Sequence, residues 1–330
     1  MMNVSPGKKK SLTALSDTRG VIAAMALDQR GRLQALMAAA GGNEPTQAMI
    51  EEFKTAVTRA LSPKASAILL DLEFGQPAMK VRHPSTGLLM TYEMDSYTNH
   101  RPGRRPAIIP QLSIRRLKEA GANGIKVLLH YSPFADQELN DEKRAFVERI
   151  GSECRAEDIP FFLEVVGYDP NGLSEQTLEY ARLKPQIVSG GLAEFSRERY
   201  GVDVLKVEFP VNLKFVEGSR SFAGNKAYAR DEALEFFRQS GEATTRPFVY
   251  LSAGVSNNEF VESLALAAEA RVPFSGVLCG RAIWSDGIQA YIRQGVPALE
   301  DWLETEGKKN IEAVNSQLAQ ATPWFNRSLP

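Results

Sequence analysis

The sequence predicts an α/β protein folded as a single-domain (β/α)8 TIM barrel. Three observations point there. Short apolar runs alternate about eight times with helical stretches, the signature of a parallel sheet. The whole pattern fits in one domain-sized chain of 330 residues. Polar residues recur at the carboxyl ends of the apolar runs, where barrels of this kind carry their active sites. The competing doubly wound sheet calls for a GxGxxG turn after an early strand, and none is present.

The opening MMNVSPGKKK reads as part of a flexible tail over residues 1–15, with the barrel and its C-terminal helices filling 16–330. GVIAAMAL at 20–27 is a short apolar run suited to a buried first strand. It ends in Asp28-Gln29-Arg30 instead of small residues, which argues against a signal peptide. Helices follow at 32–40 and 47–61, the second with Ile50, Phe53, Val57 and Leu61 at helical spacing. ASAILLDL at 65–72 is strand two and GLLMTY at 87–92 strand three. Residues 93–110, with three prolines, read as a long loop.

A helix at 113–120, closed by Gly121, leads to GIKVLLH at 124–130, strand four. An amphipathic helix spans 137–155, and IPFFLEVV at 159–166 is strand five. Two helices are expected at 174–183 and 192–200. VDVLKVEFP at 202–210 is strand six, followed by a loop at 211–225 and a helix at 229–240. RPFVYL at 246–251 is strand seven. Ser256 with Glu259 three residues on forms a capping box that opens a helix at 259–271. FSGVLCG at 274–280 is strand eight, and two or three helices finish the chain.

Composition narrows the partners. With 43% hydrophobic and 24% charged residues the chain is soluble and globular in type. A net charge of −1 gives no basic field for nucleic acid or a membrane surface, and no stretch approaches the length of a membrane span. Cys154 and Cys279 form no CxxC or zinc pattern and fit buried thiols in a cytoplasmic protein. His83, His100 and His130 show no HxH or HExxH spacing, so neither a metal site nor any other cofactor is expected. No GxSxG elbow supports serine-nucleophile chemistry.

Strand six carries the decisive residue. Side chains alternate across a strand, so Val204, Lys206 and Glu208 share a face opposite Leu205, Val207 and Phe209. A lone strand lysine is most simply a solvated or ion-paired residue. Here Lys126 on strand four, Glu164 on strand five and Lys206 on strand six lie on neighbouring strands with apolar residues on the other face. Pointing inward they make one cluster, which is costly unless it works. A second cation and exclusion of water disfavour protonation of Lys206, and a neutral amine attacks carbonyls. Glu164 can then shuttle protons.

The last strands supply an anion cradle. Ser252, Ala253 and Gly254 follow strand seven, and Gly280 and Arg281 follow strand eight, where barrels often bind phosphate. Trp284 is placed to pack beneath it. Arg30 is a further cation for a second anionic group.

Several stretches together carry a specific likeness: ALDQRG at 26–31, ERIGSECRAEDIPFFLE at 148–164, DVLKVEFPVN at 203–212, LSAGVS at 251–256 and GVLCGRAIW at 276–284. From about residue 20 to 324 the chain resembles the class I, Schiff-base tagatose-1,6-bisphosphate aldolases of lactose and galactose catabolism. The resemblance implies Lys206 as the Schiff-base lysine, Glu164 as its acid/base partner, Lys126 as the neighbouring cation and Asp28 as the aspartate of the first strand. It implies substrate-facing roles for Gln29 and Arg30 and phosphate binding around Ser252, Gly254, Gly280 and Arg281. Departures from the family pattern fall mainly at 99–105 and 219–226, which bear on specificity if they border the site. The expected partner is a small ketose bisphosphate, and the family points to a homo-oligomer. Sulfofructose-phosphate and fructose-bisphosphate aldolases offer the same chemistry on other substrates, and a non-catalytic sugar-phosphate sensor is the alternative of a different class.

Overall fold

Strands one to eight hydrogen-bond in sequence order, all parallel, and the eighth closes on the first through Ile22 opposite Gly276. A computed structural model describes residues 4–41, 43–95 and 102–327. The strands are β1 (Ile22–Ala26), β2 (Ala67–Leu70), β3 (Gly87–Thr91), β4 (Gly124–Tyr131), β5 (Phe161–Gly167), β6 (Val204–Val207), β7 (Phe248–Tyr250) and β8 (Gly276–Cys279). Around them run α1 (Pro6–Ala14), α2 (Gly31–Gly41), α3 (Gln47–Leu61), α4 (Gln76–Val81), α5 (Ile114–Glu119) and α6 (Gln137–Ala156). The second half adds α7 (Leu178–Phe195), α8 (Arg230–Glu242), α9 (Asn257–Glu269), α10 (Arg281–Trp284), α11 (Gly287–Trp302) and α12 (Lys308–Ser316).

Two cores follow from the strand alternation. Outward side chains such as Ile125, Leu163, Leu205 and Phe248 pack under the helices. Inward ones, among them Ile22, Ala24, Leu69, Leu89, Phe162, Val204, Val249 and Leu278, fill the lumen. The lumen is therefore packed below, and only its carboxyl end is open to chemistry.

Three expectations need correction. Of the tail expected at 1–15, residues 1–3 lie outside the described residues, but Pro6–Ala14 is a helix, not a flexible segment. Pro6 suits a first helical turn, where its missing N–H is not needed. Leu12 and Leu15 are fully buried against the lumen core and close the barrel floor with Trp324. Each such leucine contributes about 1.5–3 kcal/mol. Lys8 pairs with buried Asp203 at 2.7 Å, and Ser66 donates to the Leu15 carbonyl at 2.8 Å. The second correction concerns 174–183 and 192–200, which are joined into one helix, α7 from Leu178 to Phe195, continuous through Pro185 and followed by a short 3-10 turn at Glu198–Tyr200. Third, 93–110 is not featureless: Glu93 bridges Ile108 in antiparallel fashion, and residues 102–104 form a 3-10 turn. Ser256 caps α9 as expected by accepting from the Glu259 N–H at 3.3 Å, although the helix begins at Asn257.

Candidate active site

The inward face repeats every second residue, and that period places the polar cluster. On β6 it runs from Val204 to Lys206, on β5 from Phe162 to Glu164, and on β1 from Ala26 to Asp28 one step past the strand. Glu164 stands directly beside Lys206 in the β5–β6 register, so the two side chains leave the sheet on the same side. Lys126 is in register with Phe162, one layer below Glu164.

The ammonium of Lys126 is held by three carboxylates: Asp28 Oδ2 at 2.9 Å, Glu93 Oε1 at 2.7 Å and Glu164 Oε2 at 2.7 Å. Three N–H donors thus meet three acceptors. The other oxygen of Glu164 lies 3.0 Å from the Lys206 nitrogen. All five side chains are buried. Burial works against the charge on Lys126, but Asp28, Glu164 and Glu93 outweigh it and hold the ammonium well above its usual value. Burial likewise pushes Glu164 up, and Lys126 with Lys206 more than reverses it, so its carboxyl falls below the ordinary range. For Asp28 burial is again the largest influence, overcome by Lys126, Lys206 and Arg30, and its carboxyl drops from 3.8 to about 2.

That depression is linked to stability. A carboxyl whose folded value lies below its unfolded one stabilises above the unfolded value and loses that contribution as pH falls through the folded value. Asp28 therefore contributes roughly 2 kcal/mol above about pH 4, lost as the pH falls toward about 2. Asp28→Asn is expected to be less stable than the parent at neutral pH, with the gap closing over that acid window. Urea unfolding at stepped pH checks this, and a gap independent of pH contradicts it.

The cluster lies on the wall of a cavity of about 760 Å³ that also takes in Gln29, Arg30, Ser252, Ala253, Gly280 and Arg281. Gln29 leaves its buried Oε1 without a hydrogen-bond partner there, and Arg30 leaves its Nε so. The Arg30 Nη2 donates to the Glu93 carbonyl at 2.9 Å, which ties β1 to the β3 end. Gly254 does not line the cavity. Its φ of +84° favours glycine, and a Cβ there would lie 2.7 Å from the Arg281 guanidinium. The arginine fork thus rests against bare backbone. Ala253 just before it also has a positive φ, 49°, a strained value for alanine that recurs at ligand-binding turns. Trp284 is buried and donates to the Ala26 carbonyl at 2.9 Å, fixing the short helix after β8 beneath the cradle.

His130 also lines the cavity, and burial followed by Arg104 and Lys143 lowers it to about 4. His83 contacts Ser85 on the surface, and His100 lies outside the described residues. Among the described residues no group of three or more His, Cys, Asp or Glu is arranged to hold a metal ion. Of the two stretches set apart for specificity, Arg104 and Arg105 line the cavity, residues 99–101 lie outside the described residues, and none of 219–226 is on the wall.

The model of the DeoC/LacD family aldolase matches residues 22–286. The chain belongs to this family. The DeoC/LacD aldolase described here is 48% identical over 328 residues to a tagatose 1,6-diphosphate aldolase of Listeria monocytogenes serotype 4a (strain HCC23), covering 99% of this chain and 96% of that one. It is also 48% identical over 326 residues to tagatose 1,6-diphosphate aldolase 2 of Enterococcus faecalis (strain ATCC 700802 / V583), covering 98% and 97%. Two solved structures share the fold at low identity. One is a Schiff base forming fructose-1,6-bisphosphate aldolase, with a TM-score of 0.57, 12% identity and coverage of 93% of this chain and 98% of that one. The other is the fructose-bisphosphate aldolase of Plasmodium falciparum, with a TM-score of 0.68, 13% identity and 97% coverage of both chains.

One member of this aldolase's cluster, Glu93, is absent from the sequence reading. Its signal was the same two-residue period: Leu89, Thr91, Glu93 continue the lumen face past the end of β3. Its Oε2 is buried and without a partner on the cavity wall.

Proposed function

We propose that this aldolase cleaves D-tagatose 1,6-bisphosphate to dihydroxyacetone phosphate and glyceraldehyde 3-phosphate through a Schiff base on Lys206. The observation that carries the reading is the placement of Glu164, with one oxygen 3.0 Å from Lys206 and the other 2.7 Å from Lys126. The relatives named above as tagatose 1,6-diphosphate aldolases, matched over nearly their full length, support the substrate.

The steps follow from the charge states. Glu164 starts ionised and takes a proton from the Lys206 ammonium it pairs with, the freed amine attacks the C2 ketone, and a second N–H proton of that nitrogen passes to the former ketone oxygen to give the carbinolamine. It then returns that proton to the carbinolamine hydroxyl, which leaves as water, and an iminium remains. Glu164, again a carboxylate, takes the proton of the C4 hydroxyl. The C3–C4 bond breaks, its electron pair moving toward the iminium nitrogen to give an enamine, and glyceraldehyde 3-phosphate departs. Protonation at C3 and hydrolysis release dihydroxyacetone phosphate and restore the amine. Lys126, pinned by Asp28 and Glu93, orients Glu164 and keeps it ionised. Arg281, Gly280 and the Ser252–Ala253 turn hold the proximal phosphate, with Gly254 backing the arginine, so binding remote from the reacting bond positions it.

A sensor on the same barrel has no use for a reactive amine beside a proton shuttle, and no observation favours it. Steady-state comparison tests the substrate. We expect tagatose 1,6-bisphosphate to be cleaved at a kcat/KM no lower than fructose 1,6-bisphosphate, which differs at C4, and well above a 6-sulfonated analogue. Activity should survive chelator treatment. Preferred turnover of the sulfonate, or loss of activity with chelator, overturns the reading. The free, buried Cys154 and Cys279 support a reducing cytoplasm as the compartment, and a homo-oligomer is the assembly to check by light scattering.

A further inference from the structure

We propose that the side of the barrel mouth opposite Arg281 receives the second phosphoryl group of the substrate, with Lys184 and Arg104 as its cations and Tyr180 as a hydroxyl donor. The inference rests on the aldolase reading above and adds the residues that recognise the distal end.

Topology sets the opposition. In a closed ring of eight strands, the Ser252 turn and Arg281 after β7 and β8 face the ends of β3 and β4, with β5 next round the ring. Arg104 comes from the connection after β3, and Tyr180 and Lys184 from the first turns of α7 after β5. All three line the cavity that holds Lys206. Arg30 starts from β1, beside β8, and reaches across to the β3 end, where its Nη2 is already committed to the Glu93 carbonyl at 2.9 Å.

Tyr180 is 1% exposed, yet its hydroxyl is buried without a hydrogen-bond partner. A buried O–H on a cavity wall left unmade is unfavourable until something in the cavity accepts it. Lys184 lies one turn further along the same helix face. Its ammonium is 3.5 Å from Glu208, a looser contact than the 2.7 Å pairs around Lys126. Arg104 pairs with Glu175 at 3.0 Å at the rim, where both side chains are about half exposed, so the arginine can turn to an arriving anion.

Behind Arg104 lies a further cation. Lys143 is fully buried, and among the described residues it has no carboxylate at ion-pair distance. It donates to the Tyr168 hydroxyl at 2.9 Å and sits 4.6 Å over that ring, with the Arg104 guanidinium 5.1 Å over the same ring. Burial, then Arg104 and Arg105, bring the Lys143 ammonium down to about 8. A buried cation without a counter-ion is costly, and a dianionic phosphate arriving at Arg104 and Lys184 supplies the missing negative charge.

The test compares kcat/KM for a ketose 1,6-bisphosphate with that for the corresponding ketose 1-phosphate, which lacks the distal group. Lys184→Met and Arg104→Met are expected to lower the bisphosphate value by about 10- to 100-fold each, and Tyr180→Phe by several-fold, while the 1-phosphate value changes far less. The 1-phosphate reaction reports on folding and on the Schiff base in the same preparation. Equal losses on both substrates, no loss on the bisphosphate, or a parent enzyme indifferent to the distal phosphate overturns the proposal. A parent enzyme that forms no borohydride-stable adduct with dihydroxyacetone phosphate strikes at the aldolase reading instead.

Discussion

Lys206→Met is expected to lower kcat/KM for ketose bisphosphate cleavage by at least about four orders of magnitude. Methionine keeps the volume and removes the nitrogen, so the iminium that accepts the C3–C4 electron pair cannot form. No neighbouring amine can substitute. Lys126 is the nearest alternative, but three carboxylates hold it protonated, and a protonated amine has no lone pair to offer. The fold should persist, because Glu164 keeps its contact with Lys126 at 2.7 Å. Stopped assays over hours check the residual rate, and circular dichroism checks the fold. A variant retaining a tenth of the parent activity would remove Lys206 from the mechanism.

Lys126→Met should be the more damaging change to the molecule itself. It leaves Asp28, Glu93 and Glu164 buried around an apolar side chain. Removing one partner from such a cluster costs about 3–5 kcal/mol, a large share of the roughly 5–15 kcal/mol that holds a domain folded. The carboxylates would answer by taking up protons, so their folded values should rise. The stability gap to the parent is then widest near neutral pH and narrows as the solution is acidified. Activity should fall as well, since Glu164 loses both its anchor and the charge that keeps it ionised. Urea unfolding between pH 4 and 8 reads the gap directly. A variant as stable as the parent across that range would mean that the lysine does not balance the carboxylates.

Much of this is legible in the sequence alone, and the reason is periodicity. Eight apolar runs with helices between them give a barrel, and a period of two puts Lys126, Glu164 and Lys206 on one inner wall. What escaped depends on contacts distant in sequence. The basic KKK of residues 8–10 reads locally as a solvated tail, yet Lys8 finds Asp203 in the fold and Leu12 finds the barrel floor. Residues 184–191 read as a gap between two helices, but α7 runs through them with Pro185 buried. Glu93 stood just beyond an expected strand end, where a shift of one residue decides whether a side chain enters the lumen. The pairwise view of Lys126 and Lys206 as two mutually repelling cations also changes, because Asp28 and Glu93 join Glu164 in surrounding the first of them.

Borohydride reduction in the presence of dihydroxyacetone phosphate, followed by peptide mass mapping, tests the mechanism at its centre. The account predicts a single stable adduct on the peptide containing Lys206, absent from Lys206→Met. An adduct on Lys126 or Lys184, or none while cleavage proceeds, would contradict it.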